Sequence, residues 1–155
     1  MAKKVTCFVI IPFNENFASV WEALENAGKR FEYLKVERSD TQTPSKKSLF
    51  QDIKEKIIKS AFVIADFSVD KKKSESLPNP NVMTEAGFAL GVGREPYLIS
   101  RKPLSLPSDW TQHKVSIYDT SDQDRLDDWF EEYLEEIMKK HESNLRTYLN
   151  FYIKL

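Results

Sequence analysis

The chain has 155 residues, 41% of them hydrophobic, with 23 Lys plus Arg set against 24 Asp plus Glu. That length and apolar content predict one domain over 1–155 with its own core, the part from about residue 140 being a helical extension. A formal charge of -1 offers no field for duplex nucleic acid or an anionic membrane, no run nears the roughly 20 apolar residues of a membrane span, and the lone Cys7 excludes an intramolecular disulfide.

Val5 to Ile11 is a short, nearly continuous apolar run, the pattern of a strand buried on both faces, so Cys7 within it reads as a small buried hydrophobe. Met1-Ala2-Lys3-Lys4 before that run makes no signal peptide, and a cytoplasmic protein is expected. Pro12-Phe13-Asn14-Glu15-Asn16 breaks the strand. Phe17, Val20, Trp21, Leu24 and Ala27 then recur at helical spacing up to Gly28, read as the stop. Tyr33 to Val36 is a second strand, and a loop through Pro44 leads to a second amphipathic helix marked by Leu49, Ile53 and Ile57. Ala61-Phe62-Val63-Ile64-Ala65 is the third strand and ends at Asp66. From there to Pro78 the polar stretch with Lys71-Lys72-Lys73 reads as a solvated loop.

Asn79-Pro80-Asn81-Val82 opens a third helix. Asn79 suits the N-cap and Pro80 the first helical position, where its missing N–H costs nothing. Val82, Ala86, Ala89 and Leu90 form the apolar face, Gly91 and Gly93 the stop. Pro96 to Ser100 is the fourth strand, residues 101–113 a loop with Trp110, and Lys114 to Tyr118 the fifth strand. Leu126, Trp129, Phe130, Tyr133, Leu134 and Ile137 mark a last helix, with a separate segment through Leu145, Tyr148, Leu149 and Tyr152. The expected fold is α/β: a three-layer, Rossmann-like (flavodoxin-like) five-stranded parallel sheet, order 2-1-3-4-5, with helices on both faces and an extra C-terminal helical segment.

In such sheets ligands bind at the carboxyl ends of the strands. The loops after Ile11, Ala65 and Pro78 meet there and carry Phe13, Asp66 and Glu85. Each residue has a bland reading: Glu85 a carboxylate favoured by the helix dipole, Asp66 a turn residue, Phe13 a filler of the core edge, Asn79 only a cap. Two carboxylates at one crevice, with no metal motif and no nucleophile–histidine pair, point instead to chemistry at a glycosidic carbon. There one carboxylate meets developing positive charge, Phe13 stacks on a base, and Asn79 and Asn81 bond hydroxyls. His113 and His141 are far apart in sequence, and neither a metal nor a cofactor is expected.

Phe8-Val9-Ile10-Ile11-Pro12-Phe13, Phe62-Val63-Ile64-Ala65-Asp66 and Asn79-Pro80-Asn81-Val82 with Glu85, Gly87 and Ala89 together resemble the nucleoside 2-deoxyribosyltransferase-like family, especially its bacterial branch related to Toll/interleukin-1-receptor (TIR-like) domains. The resemblance covers about positions 5–120. It implies that Glu85 acts at the anomeric carbon and that Asp66 contacts sugar or base. With Pro12, Phe13, Asn79, Asn81 and Met83 these form the candidate catalytic and substrate-binding set. The implied activity is cleavage or exchange of an N-glycosidic bond in a nucleoside, a nucleotide or NAD, in bacterial defence or nucleotide signalling. The chain departs from the family at Met83 and Thr84, where aromatic residues are common, at Leu90, where a histidine is common, and in the Lys-rich insertion after Asp66.

Three other readings compete. A non-catalytic nucleotide sensor needs the same cleft as the enzyme. A phosphorylation receiver needs an acidic pair after the first strand and a lysine after the fifth, where Pro12-Phe13-Asn14 and Asp119 stand. A protein-interaction module would use the aromatic C-terminal segment: Leu145, Tyr148, Leu149, Phe151 and Tyr152 offer enough apolar surface that docking, with a homodimer favoured, is expected.

Overall fold

The structure, a computed structural model, describes residues 4–39, 48–70, 76–118 and 120–153, with side chains to residue 143. The strands are β1 (Val5–Ile10), β2 (Leu34–Arg38), β3 (Phe62–Asp66), β4 (Tyr97–Ser100) and β5 (Val115–Ile117). They form one sheet in the order β2-β1-β3-β4-β5, every neighbouring pair parallel. The order and the parallel pairing are those expected from the β/α alternation.

Burial explains the positions. β3 is buried at all five residues, as a central strand covered on both faces must be. Its alternate side chains feed two cores. Phe62 and Ile64 join Cys7, Val9, Phe17, Leu24, Phe130 and Leu134 on one face. Val63 and Ala65 join Phe8, Ile10, Ile53, Ile57, Val82, Ala86 and Ala89 on the other. The first core is covered by α1 (Ala18–Lys29) and α4 (Gln123–Ile153), the second by α2 (Leu49–Lys59) and α3 (Pro80–Gly91). Cys7 is fully buried, and desolvation lifts its thiol far above the ordinary range, so it behaves as the inert hydrophobe expected.

Three expectations are corrected. Gly28 does not end the first helix, which runs on to Lys29. Gly28 is buried, and a Cβ there would lie 2.3 Å from Cγ2 of Val36, so the glycine lets α1 lie directly against β2. The loop at 101–113 contains a 3-10 turn, Ser108–Trp110, which seats the Trp110 ring edge-on to Phe67 at 5.0 Å over the α2/α3 core. The last helix is unbroken from Gln123 to Ile153 rather than two segments. The polar run Lys139-Lys140-His141-Glu142-Ser143-Asn144 interrupts the apolar periodicity but contains neither glycine nor proline to interrupt the helix. Of the expected docking surface on this helix, the side chains from Leu145 to Tyr152 lie outside the described residues.

Gly28→Ala should lower the urea unfolding midpoint and cost about 1–3 kcal/mol, because the new methyl group would also lie 3.1 Å from Val36 Cβ, an atom that turning the Val36 side chain does not move. Gly87→Ala in exposed helix, where a Cβ meets nothing within 4 Å, is the matched control and should be neutral or slightly stabilising.

Candidate active site

β3 ends on a carboxylate with no solvent exposure. Asp66 Oδ1 accepts from the Ser68 backbone N–H at 2.8 Å, and Oδ2 accepts from the Tyr118 hydroxyl at 2.7 Å. The Ser68 hydroxyl lies 3.0 Å from the Tyr118 hydroxyl and accepts from the Arg101 backbone N–H at 2.9 Å. One buried network therefore ties the carboxyl ends of β3, β4 and β5 together. Burial pushes the Asp66 pKa up, while the Ser68 and Tyr118 hydrogen bonds and the Arg101 charge pull it back. Desolvation, and then the Asp66 charge, push the Tyr118 hydroxyl far above its ordinary value, so it stays a donor.

The Asp66 side chain continues the Phe62–Ile64 alternation and meets Tyr118, which packs in the α1/α4 core. α3 covers the other face. The structure thus brings the predicted loops to one end of the sheet, with Asp66 turned to Tyr118 and the α1/α4 core while Glu85 stands on α3, the helix that packs over the other core.

α3 starts as the residue pattern dictates. Asn79 Oδ1 accepts from the backbone N–H groups of Asn81 at 2.9 Å and Val82 at 3.4 Å, with Pro80 in the first turn. The other end is a Schellman closure: Arg94 N–H donates to the Ala89 carbonyl at 2.8 Å and Gly93 N–H to that of Leu90 at 3.1 Å, with Gly93 at φ 75. Glu85 sits a turn after Val82 and a turn before Ala89, on the flank of the buried face, and is half-buried. Among the described residues no hydrogen bond or ion pair holds its carboxylate. Desolvation raises its pKa to about 7. Asn81 is exposed, and Met83 packs half-buried against the α2/α3 core.

After β1, Pro12 is buried and Phe13 is 47% exposed. The Arg38 guanidinium lies 5.1 Å from the centre of the Phe13 ring and 4.5 Å from that of Trp21, so Phe13 presents a flat surface at this end of the sheet rather than filling the core. Tyr118, Ser68, Arg101 and Asn16 were not anticipated. Apart from the Ser68 N–H bond to Asp66, two residues away, the contacts that join them span 33 to 85 residues of sequence, and local periodicity carries no signal for those. A signal did exist for Tyr118: a polar-tipped residue ending an otherwise apolar strand at the ligand-binding end. His113 and His141, distant in sequence, line one cavity of about 420 Å³ at the amino ends of β3, β4 and β5, opposite the end that carries Asp66. Among the described residues no group of three or more His, Cys, Asp or Glu is arranged to hold a metal ion, and no helix is long and apolar enough to cross a membrane.

The sequence matches no family model and no curated protein. Two solved structures share the fold. One is a 2-deoxyribosyltransferase from Leishmania mexicana, at TM-score 0.53 and 16% identity over 63% of this chain; the match takes in 65% of that chain. The other is a 2-deoxyribosyltransferase from Bacillus psychrosaccharolyticus, described as a biocatalyst for nucleoside synthesis, at TM-score 0.53 and 12% identity over 79% of this chain and 90% of that one. At these identities the likeness is one of fold.

Tyr118→Phe removes a donor from a fully buried carboxylate. It should destabilise the protein by about 1–3 kcal/mol. The loss should be larger at pH 8 than at pH 4, because the Tyr118 hydrogen bond pulls the Asp66 pKa down and so favours the ionised form over the protonated one. Urea midpoints of both proteins at the two pH values check it.

Proposed function

We propose that the chain is a nucleoside-processing enzyme that breaks or exchanges an N-glycosidic bond, with Glu85 as the carboxylate acting at the anomeric carbon. The observation that carries this reading is the state of Glu85: half-buried, without a polar partner among the described residues, and raised by desolvation to about 7. A structural carboxylate is usually paired or solvated, whereas one left unpaired on the wall of a ligand-binding sheet end is poised for a reaction. The fold shared with two 2-deoxyribosyltransferases supports the choice of chemistry.

In the reaction, a Glu85 oxygen forms a bond to the anomeric carbon as the bond to the base nitrogen breaks. The electron pair leaves with the base, which takes a proton from solvent. Water or a second base then displaces the glutamate and restores the carboxylate. The transition state is cationic at the sugar, so an unpaired carboxylate gains more from it than from the neutral ground state. Phe13 supplies the flat surface for a base, and the α3 amino end with Asn79 and Asn81 borders the sugar. Asp66, with both oxygens held by the protein, acts through position: it fixes Ser68, at the start of the chain that leaves β3, against Tyr118.

Glu85→Gln should cut turnover of the preferred substrate by about 10²–10⁴-fold while changing binding little. The parent's kcat/KM should rise about tenfold per pH unit up to about 7 and level off above it, because the nucleophile is the ionised form. Stability moves the other way. The folded state keeps the proton to about pH 7 and the unfolded chain loses it near 4.5, so stability falls as pH rises through that window. Glu85→Gln should abolish this slope and leave the variant roughly 1–3 kcal/mol more stable than the parent at pH 8. Release of free base from a panel of nucleosides, nucleotides and NAD is the assay. A Glu85→Gln protein as fast as its parent overturns the reading, and binding without cleavage by the parent makes the protein a nucleotide sensor.

A further inference from the structure

A second cavity, of about 480 Å³, opens at the carboxyl ends of β3 and β4. It is lined by Asn16, Ser68, Asp70, Ser76, Arg101 and Leu104, among others. Its size suits a small organic ligand. It lies at the sheet end that bears the Asp66 network, and Ser76 on its wall stands three residues before the Asn79 cap of α3. The cavity therefore borders the loop that leads to Glu85.

Arg101 determines what can occupy it. Its guanidinium lies 4.4 Å from the centre of the Phe17 ring, and its Nη2 donates to the Asn16 carbonyl. These contacts fix the plane of the group and bring no negative charge to it; the Asp66 carboxylate acts on it only from beyond ion-pair contact. Among the described residues no carboxylate forms an ion pair with it, and one acceptor takes one of the five N–H donors that an arginine carries. A half-buried, oriented guanidinium with unused donors facing a cavity matches the geometry of a phosphate or carboxylate. Lys102 adds a second positive charge to the lining. Asp70 stands in the same lining, and both its oxygens lie 3.3 Å from Asn16 Nδ2. A carboxylate beside a cationic wall disfavours a bare anion and favours a ligand that offers an anionic group to Arg101 and a hydroxyl donor to Asp70. A sugar phosphate has that pattern.

We propose that this cavity binds the phosphate of a nucleoside monophosphate, so that the substrate is the phosphorylated nucleoside rather than the free one. This inference rests on the proposed chemistry at Glu85 for its choice of a nucleoside, but binding alone tests it. Isothermal titration at fixed ionic strength compares the nucleoside 5′-monophosphates with the matching nucleosides. The parent should bind its best monophosphate at least about tenfold more tightly than the nucleoside, the scale of one or two charge-assisted hydrogen bonds. Arg101→Gln should bring the two within about twofold.

Arg101 also steadies Asp66, so a second variant guards against a folding defect. Ser105→Trp, on the exposed rim of the cavity, should occlude it and remove the same preference. Glu85→Gln should keep the preference in full. Equal affinity for nucleoside and monophosphate in the parent, binding of neither, or a preference that survives both cavity variants overturns the proposal. A parent that releases no base yet keeps the tenfold preference leaves the phosphate site standing and removes the glycosidic chemistry.

Discussion

The Asp66 carboxylate is the constraint on which this end of the molecule depends. A fully buried carboxylate is tolerated only when its oxygens are bonded, and here the backbone of Ser68 and the hydroxyl of Tyr118 bond one each. Those two partners come from the chain just past β3 and just past β5, and the Ser68 hydroxyl reaches the Arg101 backbone just past β4. Backbone pairing reaches only one residue past β3 and β5, through Phe67 N–H to the Ile99 carbonyl and Tyr118 N–H to that of Ser100, and the side-chain network then locks the three strand ends together. Satisfying a single charge fixes the departure of three loops, including the one that runs to α3.

The parts of the fold legible in the sequence are those decided by burial of short apolar runs. Phe62 to Ala65 could only be a strand covered on both faces, and Asn79-Pro80 could only open a helix, because both follow from local chemistry. Legibility stops where distant residues decide. Gly28 looks like a helix stop until Val36 is brought against it. The final helix looks divided because its apolar stripe lapses, while nothing in it breaks the backbone. At the site, the loops expected to converge do so, but the face on which each side chain emerges was hidden. Strand alternation sends Asp66 toward Tyr118, and pairing across 52 residues leaves no periodic trace.

That separation alters how two acidic residues at one sheet end should be understood. Asp66 and Glu85 both have pKa values raised by desolvation, yet their circumstances differ. Asp66 is held by donors that offset part of the cost of its burial, so its carboxyl group is part of the architecture. Glu85 is less buried and no group among the described residues offsets the cost, so its charge is a liability of the unliganded protein. The proposed reaction therefore uses Glu85 alone at the anomeric carbon rather than a matched pair straddling the bond, as in many glycosidases. One carboxylate is bound into the structure and the other is left over.

A leftover charge of this kind sets a requirement on the ligand. A nucleoside, phosphorylated or not, does little for Glu85 in the ground state, because its sugar brings no positive charge to a partly desolvated carboxylate. In the proposed reaction, positive charge grows on the anomeric carbon and the ring oxygen as the glycosidic bond stretches. Glu85 is then stabilised for the first time, in a site where fewer waters screen it than at the open surface. The unfavourable state of the resting carboxylate and its usefulness in the transition state have one origin, its partial removal from water on the flank of α3. Pairing Glu85 with a nearby lysine would steady the fold and cancel that difference. The absence of such a partner among the described residues is thus the feature of the helix that glycosidic chemistry needs most.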